Sequence, residues 1–91
     1  MNEIDDTWTP AAGDNATEAA VLQRLLDLHP IQVTTAELVR EVGGQSPGFA
    51  ERDAIERALR DLAGAGLLHI HDGFVLPTRA ALRFSELLDR Y

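Results

Sequence analysis

Apolar residues recur at three- and four-residue spacing in four stretches of the chain and alternate in three short ones, and these changes of period divide it into elements. The organising stretch runs from Ala54 to Leu76. Ile55, Ala58, Leu59 and Leu62 form one side of a helix, and Gly64 and Gly66 offer positive-φ positions that would end it. Two apolar-rich runs, Leu67–His71 and Phe74–Leu76, follow at once, joined by Asp72-Gly73, a two-residue turn signal that predicts a hairpin.

Upstream, Val21, Leu22, Leu25, Leu26 and Leu28 cover one side of a first helix that Pro30 closes. Asn15, with Glu18 three residues on, or Thr17 marks its expected start. Ile31-Gln32-Val33 alternates and predicts a short strand beside the hairpin. Thr34 and Glu37 have the spacing of a capping box for a second helix, with Leu38, Val39 and Val42 inward and Gly43-Gly44 as its stop. Phe49 is expected to plug the core where the third helix begins. Pro77-Thr78 opens a last helix that runs towards Tyr91, with Thr78 as its cap. Ala80, Ala81, Phe84, Leu87, Leu88 and Tyr91 share one broad side of it, Arg79, Arg83 and Arg90 line another, and Leu82 lies away from the apolar side, beside the basic stripe.

The order helix, strand, helix, helix, hairpin, helix, with Gly66-Leu67-Leu68 leading into the hairpin, resembles the winged helix-turn-helix family. The resemblance covers roughly residues 17–91. It implies a mainly α chain with a small β-hairpin, an α+β fold in which the third helix faces DNA and the hairpin is the wing. Residues 16–91 would form the domain and residues 1–15 an acidic, flexible tail.

Charge complicates that picture. The net charge is −7, and residues 1–18 contribute five acids and no cation, whereas residues 19–91 hold ten acids and all eight arginines. Lysine is absent. On the third helix Asp53, Glu56, Arg57, Arg60 and Asp61 oppose the apolar stripe, and Asp53–Arg57, Glu56–Arg60 and Arg57–Asp61 are each four apart, the spacing at which helical side chains neutralise one another. The expected hairpin tip, His71-Asp72-Gly73, has no permanent cation. If duplex DNA is the partner, the resemblance puts Arg52, Arg57 and Arg60 near the groove, with Gln45 and Ser46 in the connection before them. A small transcription regulator is the first reading. A protein interaction module that keeps the winged fold without appreciable DNA affinity is the second, and the self-paired third helix favours it.

Arg79, Arg83, Leu82, Phe84, Leu88 and Tyr91 mark a surface of the last helix that either returns against the first helix or forms a partner or homodimer contact. Trp8, inside the acidic leader, has two readings as well: an anchor folded onto an apolar groove, or part of an acidic segment that covers the basic surface or docks on a partner. His69 and His71 fall on one strand face with no third ligand in view, so no metal is expected. No cysteine, glycine-rich phosphate loop or arguable catalytic constellation is present, and a 91-residue chain buries too little to support a catalytic cleft with its own shell. Neither an enzyme nor a cofactor is expected. With no long apolar run, the expected setting is cytoplasmic, without membrane contact.

Overall fold

The computed structural model describes residues 10–44 and 48–89. Trp8, Gln45, Ser46, Arg90 and Tyr91 lie outside them. The elements are α1 (Pro10–Leu28), β1 (Val33–Thr34), α2 (Thr35–Gly43), α3 (Phe49–Gly64), β2 (Leu68–His71), β3 (Phe74–Pro77) and α4 (Arg79–Asp89). This is an α+β fold, mainly helical, with one small antiparallel sheet.

Each boundary has a local cause. α1 starts at Pro10, earlier than Asn15, because a first-turn proline lacks only an N–H that has no helical partner in any case. Asn15 therefore sits exposed inside the helix and caps nothing. Thr34 and Glu37 close the capping box: the Glu37 amide donates to Thr34 Oγ1 at 3.1 Å and the Thr34 amide to Glu37 Oε1 at 2.8 Å. The Thr34 amide first, and the Thr34 hydroxyl second, favour the ionised form of Glu37 and hold its carboxyl below the usual range.

α3 ends in a Schellman arrangement. The Leu67 amide reaches the Leu62 carbonyl at 3.0 Å and the Gly66 amide reaches Ala63 at 3.1 Å, with Gly66 at φ +83°. Gly64 is the last helical residue and has no positive φ, since one left-handed position completes the cap. In the hairpin Asp72 (φ +53°) and Gly73 (φ +81°) are both left-handed, as a tight two-residue turn requires. Thr78 then joins two elements. Its Oγ1 accepts from the Ala81 amide at 3.2 Å, capping α4, and donates to the Gly66 carbonyl at 2.8 Å.

The sheet order is β1-β3-β2, with Val33 opposite Val75 and Ile70 opposite Val75 from the other side. That register places Val33, Val75 and Leu68 on one face, against the helices. The core gathers Val21 and Leu25 from α1, Leu38 and Val39 from α2, Ile55, Ala58, Leu59 and Leu62 from α3, and those three sheet residues. Phe49 does not join it: the ring is 86% exposed. At about 100° per residue it lies roughly 130° from the Ile55–Leu62 stripe, so the first turn of α3 points it to solvent.

Candidate nucleic-acid interface

α3 packs against α1 and α2 through its apolar stripe, and the hydrophilic remainder of the helix is left facing solvent. Of the three expected ion pairs along that side, one forms. Arg57 Nη1 bonds Asp53, while Glu56–Arg60 and Arg57–Asp61 make no contact of ion-pair length. Arg57 has a second partner, which the residue spacing does not reveal: Nη2 lies 3.4 Å from Asp14 of α1, so two carboxylates flank one guanidinium. Arg52 and Arg60 are exposed and form no ion pair among the described residues.

These positions sort the three arginines. Arg57 is half-exposed and already neutralised, and a phosphate would have to displace one carboxylate or both. Arg52 and Arg60 stand eight residues apart on the same helix, roughly 12 Å at about 1.5 Å per residue, with Glu56 between them. They are the cations of α3 that can meet an external anion without breaking an internal pair. Gln45 and Ser46 fall outside the described residues.

The hairpin tip adds no permanent charge. His71 Nε2 lies 3.4 Å from Asp72 Oδ2, both side chains being well exposed. His69 shares its strand face, and among the described residues no group of three His, Cys, Asp or Glu side chains converges as a metal site would need.

Two of the open grooves lie away from α3. One, of about 570 Å³, runs between the end of α1, β1 and α2 past Ile31, Glu37, Arg40 and Glu41. Its acids are engaged, Glu37 in the cap of α2 and Glu41 with Arg24 at 2.6 Å. The other, of about 260 Å³, is apolar and lies between α1 and α4, lined by Ala19, Leu22, Leu26, Phe84 and Leu88. Here the expected partner surface divides. Phe84 and Leu88 are 58% and 57% exposed, with Leu87 beside them at 41%. Leu82 is half-buried, about 160° round the helix from Phe84, and belongs to a different side. Arg79 is exposed, and Arg83 bonds Glu86 at 3.2 Å.

No helix among the described residues is long and apolar enough to cross a membrane. No protein-family model matches the chain, and comparison with curated proteins and with solved structures finds no significant match.

Proposed function

We propose that the chain is a winged helix-turn-helix module that binds duplex DNA and acts as a small transcription regulator. In this reading α2 and α3 are the helix pair, α3 is the helix offered to the groove, and the β2–β3 hairpin is the wing. The observation that carries it is the pair of α3 cations that form no ion pair among the described residues: Arg52 and Arg60 project from a helix whose apolar stripe is committed to the core. Guanidinium groups so placed suit phosphate oxygens or the O6 and N7 acceptors of guanine.

A second reading, a protein interaction module on the same scaffold, draws on two observations. Arg57 is held between Asp14 and Asp53, and the hairpin tip pairs His71 with Asp72 instead of presenting an arginine. Both reduce the cationic charge that counterion release requires.

Anisotropy of labelled mixed-sequence duplex, titrated with the full chain across a salt series, separates the two. The DNA reading expects binding that weakens as salt rises, and weaker binding with a shallower slope for Arg52→Ala with Arg60→Ala. Absence of binding even at low salt, with the protein folded, refutes it.

A further inference from the structure

The chain has one tryptophan, Trp8, and it stands just ahead of α1. Counted back from Pro10 as the first helical residue, Thr9 takes the capping position and Trp8 the one before it, where an apolar side chain commonly packs back against the fourth residue of the helix. That fourth residue is Gly13, which offers no side chain to meet. At about 100° per residue the same side of α1 continues through Ala16, Thr17 and Ala20. These three form one wall of a depression of about 280 Å³, faced by Val42 at the end of α2 and by Ala54 and Ile55 of α3, with Glu51 its one charged lining residue among those described. The volume falls below the roughly 300–1,000 Å³ usual for a small-molecule site and suits a single large side chain.

Reach separates this depression from the α1/α4 groove. Ala16 lies six residues beyond Pro10, roughly 9 Å at about 1.5 Å per residue, whereas the other groove begins at Ala19 and runs to Leu26, roughly 14 to 24 Å along α1 and about 120° round it. Two residues of chain span about 7 Å, so an indole at position 8 covers the remainder to Ala16 and falls short of Leu22 and Leu26. An indole left in water forgoes the burial of its large apolar surface, and this is the first apolar depression that the chain allows it. We infer that the indole of Trp8 fills the depression between α1, α2 and α3, passing over Gly13. The contact anchors the acidic leader: Asp5 and Asp6, three and two residues before Trp8, stay close to the first turns of α3. None of this rests on the DNA reading.

Because Trp8 is the only tryptophan, its fluorescence in the full chain reports the contact directly. The expected emission is blue-shifted from that of the urea-unfolded chain, protected from acrylamide quenching and independent of protein concentration. Ala16→Glu and Ala20→Glu place a carboxylate in the depression from exposed positions, and each should abolish both the shift and the protection. Ala19→Glu, equally exposed but facing the α1/α4 groove, should change neither. Glutamate is a good helix former, and circular dichroism checks that each variant stays folded. Parent emission that already matches the unfolded chain overturns the inference. So does a shift that survives both Ala16→Glu and Ala20→Glu, and its loss in Ala19→Glu alone would seat the ring against α4 instead. A shift lost on dilution of the parent overturns it as well, since the indole would then sit on a second copy. With no nucleic acid present, failure here leaves the DNA reading to its own test.

Discussion

Arg57 of α3 and Asp14 of α1 meet at 3.4 Å across 43 residues of sequence, and Asp53 closes on the same guanidinium from within α3. The pair joins the first turns of α1 to the middle of α3. All three side chains are about half exposed, so the contribution to stability is small, of the order of 0–1 kcal/mol per pair. Its consequence is electrostatic: the most central arginine of α3 is held at home.

If the proposed DNA reading holds, releasing Arg57 should strengthen binding to duplex. Asp14→Asn with Asp53→Asn frees one guanidinium while preserving shape, and the slope of log affinity against log salt should steepen by about one. The net charge also changes by two, so Asp27→Asn with Asp89→Asn, outside α3 and in no ion pair among the described residues, is the matched control. Anisotropy on the same duplex distinguishes them. Equal gains in both variants would mean that only net charge matters and that Arg57 makes no contact.

Most of the fold was legible because its signals are local. The capping box of Thr34 and Glu37, the left-handed Gly66, the Asp72-Gly73 turn and the cap at Thr78 each lie within a few residues, and the three- and four-residue spacing marked the buried side of α3. The Asp14–Arg57 contact was not legible. It depends on α1 continuing back to Pro10, whereas Asn15 with Glu18 imitates a helix start and leaves Asp14 in the leader. Phe49 misled for a related reason: an aromatic residue at a helix entry suggests a core plug, and only the angular position of the first turn shows that it faces water. Nor could spacing decide which of three equally spaced ion pairs forms, since that depends on what else lies near each guanidinium.

Thr78 should matter beyond its own helix. Its hydroxyl caps α4 and donates to the Gly66 carbonyl, so one side chain fixes the start of α4 against the turn that ends α3. Thr78→Val removes both bonds at nearly constant shape and should cost about 1–2 kcal/mol in urea unfolding. Thr78→Ser should recover most of that loss. A valine variant as stable as the parent would show that neither bond contributes.

The contrast between two residues of α3 tests which way the helix faces. Leu59 is buried among Val21, Leu25 and Leu38, and Leu59→Ala should cost about 2–5 kcal/mol. Phe49→Ala, although it removes the larger side chain, should change stability by no more than about 0.5 kcal/mol. If Phe49→Ala instead costs as much as the core change, the first turn of α3 is rotated inward.

Glu37 sets a pH dependence whose sign is fixed. Its carboxyl, bonded by the Thr34 amide and hydroxyl, titrates below the ordinary value of 4.5 in the folded chain, so the unfolded chain binds the proton more readily. The stabilisation is complete above the unfolded value and is lost as pH falls through the lowered folded value. Glu37→Gln keeps an acceptor for the Thr34 amide, as a capping box allows, but cannot titrate. Urea unfolding of both proteins across the acid range should show the variant losing less stability than the parent on acidification, with the two curves running parallel near neutrality. Other carboxylates contribute equally to both chains and cancel in the difference. Curves that stay parallel through the acid range would mean that Glu37 has the same proton affinity folded and unfolded, and that its place in the capping box is geometric only.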